Sequence, residues 1–159
     1  MTRLMALDVG EVRIGIAISD SNRFLASPYT TVYVSRDETS TWAAISRLID
    51  ETEAAGLVIG LPVSLDGQIH AQGKRVLAFA ERLKQHITIP VAFWDERLST
   101  VEAQRLLAER NQQEKGRGGG QRRIHARRRQ KGHEIDALAA AVILQEYLDS
   151  QGSQAEETT

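Results

Sequence analysis

Three acidic residues, Asp8, Glu96 and Asp136, stand where a chain can deliver carboxylates to a single point. Asp8 ends the apolar run Leu4-Met5-Ala6-Leu7 and is followed by Val9 and the turn former Gly10. Glu96 ends a second run, Val91-Ala92-Phe93-Trp94-Asp95, just ahead of a helix start. Asp136 falls in the first turn of an alanine-rich helix, Glu134-Ile135-Asp136-Ala137-Leu138-Ala139-Ala140-Ala141. Carboxylates at strand ends and helix starts suit hard, oxygen-seeking cations such as Mg²⁺ or Mn²⁺. The chemistry such a site supports is metal-assisted hydrolysis, phosphodiester cleavage above all.

Each acid also has a structural reading. An aspartate before a glycine turn often accepts bonds from nearby backbone N–H groups. Asp8, however, ends a strand expected to be central, where an unpaired carboxylate is costly unless a cation offsets it. Spacing leaves Asp95 and Glu96 open, because adjacent strand residues face opposite ways. Asp136 can complement the positive end of its helix dipole. It shares a face with Ala140 and Ile143, and the small alanines let that face approach a sheet closely. His133 and Glu134 are weaker candidates, with a solvated role as the alternative. Gly60-Leu61-Pro62 opens a loop ending at Asp66-Gly67, read either as a plain strand-to-helix connection or as a backbone wall beside the site. Arg97 can hold a phosphate or pair with Asp95 or Asp20.

The elements that must position these residues show in the hydrophobic pattern. Segments 3–9, 12–19 and 31–35 are rich in Ile, Val, Leu and Tyr and read as strands, with Gly10 at a hairpin turn. Trp42, Ile45, Leu48 and Ile49 recur at helical spacing, as do Val76, Phe79, Ala80 and Leu83. Between them, 56–60 is a short apolar run of the kind found in buried parallel strands, and 89–94 is another. Ser99-Thr100-Val101-Glu102 reads as a capping box opening a helix toward Arg110. A last helix is expected over 134–148, with Leu138, Ala139, Val142 and Ile143 on its apolar side. The order predicts an α/β fold: a mixed five-stranded sheet, its first three strands antiparallel, flanked by helices. In such sheets sites gather beyond the carboxyl ends of the parallel strands, where Asp8 and Glu96 fall.

The 159 residues suit one domain, expected over 1–149, with a disordered tail over 150–159. A hydrophobic share of 42% is ordinary for a globular protein. No apolar stretch reaches about 18 residues, so no membrane association is expected. The N-terminal residues lack the long apolar region of a secretory signal, so a cytoplasmic location is expected. The absence of cysteine excludes disulfides, thiolate catalysis and cysteine zinc sites. The net charge of −1 hides an asymmetry. Lys115, Arg117, Arg122, Arg123, Arg127, Arg128, Arg129 and Lys131 stand close together with no acid among them. These eight of the 20 cations leave 12 against 21 acids elsewhere. An acidic body with one basic segment points to a polyanionic partner. Glycines among the arginines make 112–131 read as a mobile loop. It lacks aromatic residues, so contact with nucleic-acid backbone is expected rather than base stacking.

Four segments carry a family resemblance: Asp8-Val9-Gly10-Glu11-Val12-Arg13-Ile14-Gly15, Gly60-Leu61-Pro62 with Asp66-Gly67, Asp95-Glu96-Arg97-Leu98-Ser99-Thr100, and Ile135-Asp136-Ala137-Leu138-Ala139-Ala140. Together, and in this order, they resemble the YqgF/RuvX family over nearly the whole chain to Leu148. The resemblance implies a ribonuclease-H-like fold related to the Holliday-junction resolvase RuvC. It implies a Mg²⁺- or Mn²⁺-dependent nuclease, with two ions held by Asp8, Glu96 and Asp136. It also favours Glu96 over Asp95. The stretch 112–131 departs from the family pattern in its length and glycine content.

The implied reaction needs no nucleophilic side chain, and the implied substrates are structured. One is the precursor of small-subunit ribosomal RNA, trimmed at its 5′ end; the other is branched DNA, whose symmetric resolution requires a homodimer. Two rivals come from other classes. An aspartate-glycine hairpin also binds ATP phosphate in actin-like ATPases, but those need two such domains. A non-catalytic nucleic-acid-binding module would keep the basic segment and use the acids structurally.

Overall fold

The computed structural model describes residues 2–96 and 122–157, with side chains in the last helix described over 134–152. The chain begins with strands β1 (Arg3–Val9), β2 (Arg13–Ser19) and β3 (Ala26–Tyr33). Helix α1 (Glu38–Thr52), strand β4 (Ala54–Leu61), helix α2 (Ala71–Lys84) and strand β5 (Val91–Asp95) follow. A long helix, α3, spans Arg122–Glu157. The strands form one five-stranded sheet in the order β3-β2-β1-β4-β5. β1 pairs antiparallel with β2, and β2 with β3, while β4 runs parallel to both β1 and β5. The expected mixed sheet, with its first three strands antiparallel, is therefore what the chain forms.

Alternation along the strands divides the interior into two layers. Met5 and Leu7 of β1, with Ile14, Ile16, Leu57 and Ile59, pack against Trp42, Ile45, Leu48 and Ile49 of α1 and Val76, Phe79, Ala80 and Leu83 of α2. Leu4, Ala6, Ala17 and Val58 face the other way, against Ala140, Ala141, Ile143, Leu144 and Leu148 of α3. Small residues on this second face let α3 lie close to the sheet. The buried row of α3 is Ala137, Ala140, Ala141, Leu144 and Leu148, at helical spacing. Val142 and Ile143 are buried as expected, whereas Leu138 and Ala139 are only half-buried, because the helix turns its smaller alanines to the sheet. No described helix is long and apolar enough to cross a membrane.

Three boundaries differ from the sequence reading. β3 starts at Ala26 rather than near Thr31, and contains Pro28 opposite Ala17 at a shift in register. As an edge strand it tolerates a residue without an N–H. Helix α3 also extends beyond 134–148 at both ends. Residues 122–131, read as loop, are helical, since Arg, Gln, Lys and Ala are good helix formers and a glycine inside a helix, as at Gly132 and Gly152, only weakens it. Residues 150–157, read as a disordered tail, continue the same helix through Ser, Gln and Glu with no proline to stop it. The expected helix after Ser99 and the stretch 112–121 lie outside the described residues.

Candidate active site

β1 carries Asp8 on the α3 face, in the same row as Leu4 and Ala6. The hairpin behind it is closed by the Gly10 N–H donating to the carbonyl of Arg13 at 2.9 Å. Asp8 is paired across β1–β2 with Gly15. One residue beyond the last β1–β4 pair, Leu7 with Ile59, stands Gly60. Asp8 thus lies between two glycines on neighbouring strands, and each makes room for another acid.

A side chain at Gly60 would run into the carboxyl oxygen Oε1 of Glu96 and the Cδ1 of Ile143. Glu96 directly follows β5, in the row of Trp94, which packs toward α3. Asp95 follows the row of Phe93 on the opposite face. The alternation that left the two open therefore turns Glu96 inward. Glu96 reaches across Gly60 to share a side-chain hydrogen bond with Asp8.

Gly15 does the same for the third acid. A Cβ there would overlap the backbone carbonyl of Asp136, so α3 rests directly on β2 at this point, about four turns into the helix rather than in its first turn as expected. The helix is fastened at this height by side chains farther along. The Ala26 N–H donates to Gln145 Oε1, and Gln145 Nε2 donates to the Phe24 carbonyl, each at 2.9 Å. Trp94 Nε1 donates to Glu146 Oε2 at 3.2 Å. Asp136 itself takes an ion pair from Arg13, with Nε 2.9 Å from Oδ2.

Electrostatics follow from this crowding. Burial pushes Glu96 up to about 8, with the charge of Asp8, their hydrogen bond and the charge of Asp95 adding to it. Burial also raises Asp8, its hydrogen bond to Glu96 opposes the rise, and the charge of Asp136 reinforces it. The bond lowers Asp8 and raises Glu96, so the Glu96 carboxyl is the donor and an Asp8 oxygen the acceptor. One proton thus stands between two half-buried carboxyl groups. Hard oxygens holding a displaceable proton are a donor set that fits a divalent cation. Among the described residues no three His, Asp or Glu side chains form a ready metal cage. Two acids converge, while Asp136 acts on Asp8 through its charge and is held by Arg13.

The other expected residues are less gathered. Glu134 is half-buried in α3, and His133 precedes it in the helix, outside the described side chains. Asp66 and Gly67 form a surface turn, the Gln68 N–H donating to Asp66 Oδ1 at 2.9 Å. Gly60 and Leu61, read as a loop opening, belong to β4, with Pro62 just beyond it. Arg122, Arg123, Arg127, Arg128, Arg129 and Lys131 lie on the backbone of α3 in the turns before Asp136. Arg97, Lys115 and Arg117 lie outside the described residues. Sequence reasoning passed over Arg13 and the partnering of Gly15 and Gly60 with the acids. The available signal was Arg13 itself, a charge opening the otherwise apolar Ile14-Gly15-Ile16-Ala17-Ile18.

Known proteins resemble this chain over nearly its whole length. A family model described as RuvX, Holliday junction resolvase, matches residues 2–150. A Thermoanaerobacter pseudethanolicus protein named "Putative pre-16S rRNA nuclease" is 41% identical over 149 residues, covering 94% of this chain and 97% of that protein. A Roseiflexus protein of the same name is 40% identical, covering 94% of this chain and 95% of its own length. Among solved structures, Thermus thermophilus RuvC in complex with a Holliday junction substrate superposes with a TM-score of 0.55 at 12% identity, covering 96% of this chain and 97% of that one. That likeness shows the fold, which is ribonuclease-H-like. With the family model spanning nearly its whole length, the chain belongs to the RuvX family.

Proposed function

We propose that this protein is a divalent-metal-dependent endonuclease that hydrolyses phosphodiester bonds of structured nucleic acid, and that its task is 5′-end processing of the precursor of 16S ribosomal RNA in the cytoplasm. The observation that carries the chemistry is the half-buried Asp8–Glu96 pair, two carboxyls brought together across Gly60 at the carboxyl edge of parallel strands. The substrate follows the name shared by relatives about 40% identical over most of the chain.

Asp8, Glu96 and Asp136 would hold Mg²⁺ or Mn²⁺, as a pair of ions. When bound, such ions stabilise charge developing on a phosphate and make water a better nucleophile at neutral pH. The chain's own residues prepare for this. The hydrogen bond from Glu96 favours the ionised form of Asp8 and opposes the rise that burial imposes. Burial keeps Glu96 protonated, and its carboxyl would have to release that proton to hold a cation. Backbone contact at Gly15 sets the height of Asp136. The basic turns of α3, with Lys115, Arg117 and Arg97, supply the positive charge that draws a polyanion to these acids.

A second reading, resolution of branched DNA by a homodimer, is favoured by the family description and by the likeness to junction-bound RuvC. The test is incubation with labelled precursor 16S RNA and with four-way junction DNA, in Mg²⁺ and in Mn²⁺. Asp8→Asn is expected to abolish cleavage while nucleic-acid binding persists. Full activity in that variant sinks the metal-site reading, and product from the junction alone moves the assignment to resolvase.

A further inference from the structure

Arg13 occupies a place that its surroundings do not otherwise explain. It opens β2 on the row of Gly15 and Ala17, which faces α3, and its guanidinium meets Asp136 at 2.9 Å. Its backbone is pinned, because its carbonyl closes the hairpin with the Gly10 N–H. Its side chain is 38% exposed, so the guanidinium has a route outward while the backbone stays fixed. Asp136 stands near enough to the Asp8–Glu96 pair for its charge to act on Asp8. A proton neutralises one of the Asp8–Glu96 pair, and Arg13 offsets Asp136.

A planar guanidinium fits a carboxylate and a phosphate with the same fork of donors. A divalent cation drawing on Asp136 would compete directly with Arg13. It would also leave that fork beside the place where a phosphate arrives. We propose that Arg13 is an exchangeable counter-ion, bound to Asp136 while no divalent cation is present and passed to the substrate phosphate once one is. This rests on the metal-dependent nuclease reading of the same site. Arg13 then does two opposed things: it weakens metal binding, and it speeds cleavage.

Those opposed signs make the test. Mn²⁺ affinity, followed by loss of the free-ion EPR signal, and cleavage at saturating Mn²⁺ are measured for the wild type, Arg13→Gln, Arg13→Lys and Asp8→Asn. Arg13→Gln is expected to bind Mn²⁺ roughly two- to fivefold more tightly, the range of a partly exposed ion pair that no longer has to be broken. Its cleavage rate should nevertheless fall on the order of a hundredfold, as for loss of one donor to transition-state charge. Arg13→Lys keeps the charge and loses the fork, so it should restore the wild-type Mn²⁺ affinity and only part of the rate. If Arg13→Gln binds Mn²⁺ as the wild type does, or more weakly with slower cleavage, the guanidinium merely supports Asp136 and the exchange is wrong. Tighter Mn²⁺ binding with an unchanged rate removes the phosphate half and overturns it equally. A Mn²⁺ affinity that Asp8→Asn leaves untouched sinks the metal-site reading itself, and the exchange with it.

Discussion

Glu96 holds a proton to about 8 against an ordinary value of 4.5. The cause is first burial, then the negative charge of Asp8 beside it. The folded chain therefore binds this proton more tightly than the unfolded chain. Between pH 4.5 and about 8 the folded state carries more protons, so its stability falls as pH rises through that window. The metal-free protein should lose up to about 1 kcal/mol per pH unit there, measured by urea denaturation at a series of pH values. Glu96→Gln, which cannot ionise, should flatten that slope. Saturating Mn²⁺ should reverse it, since the cation binds the deprotonated pair. A slope unchanged by Glu96→Gln would place the titrating group elsewhere.

At the scale of elements, two glycines decide where the acids meet, and they do so in different ways. A methyl group at Gly15 meets the backbone of α3 at Asp136, which cannot yield without moving the helix. A methyl group at Gly60 meets the ends of two side chains, Glu96 and Ile143, which can turn aside. Gly15→Ala should therefore cost stability, about 3 kcal/mol or more as for a severely overpacked position. Gly60→Ala should cost less stability and instead displace the Glu96 carboxyl, lowering Mn²⁺ affinity and cleavage. Calorimetric melting together with Mn²⁺ titration of both variants separates the two. Equal loss of stability would show that the Glu96 and Ile143 side chains yield no more readily than the α3 backbone. The helices α1 and α2 were legible in their period because each buries one apolar stripe. β3 was less so, since an edge strand half-exposed on both faces has a weak pattern.

For the molecule as a whole, the governing feature is charge separation between an acidic body and a basic segment that enters α3. An acidic surface repels nucleic acid except where the arginines stand, so binding should be strongly salt-dependent. Replacing Arg127, Arg128 and Arg129 together by Gln should reduce the slope of log affinity against log salt by about two to three, the contribution of as many phosphate contacts. Melting temperature and the rate at saturating substrate should hold. A salt slope identical to the wild type would remove this segment from the nucleic-acid interface.

Residue types, the two helical periods, the strand runs and the asymmetry of charge were legible along the chain, because each depends on neighbours close in sequence. The four motifs likewise carried the family, and with it the ribonuclease-H-like fold. Alternation left Asp95 and Glu96 open, since it says that they differ in facing but not which way the strand is turned. Only packing against α3 through Trp94 decided that. The partnering of Gly15 with Asp136, Gly60 with Glu96, and Arg13 with Asp136 joins positions far apart in sequence, where no local pattern reports contact. The proton between Asp8 and Glu96 belongs wholly to the tertiary structure, because two carboxyls share a proton only when the fold forces them together out of water.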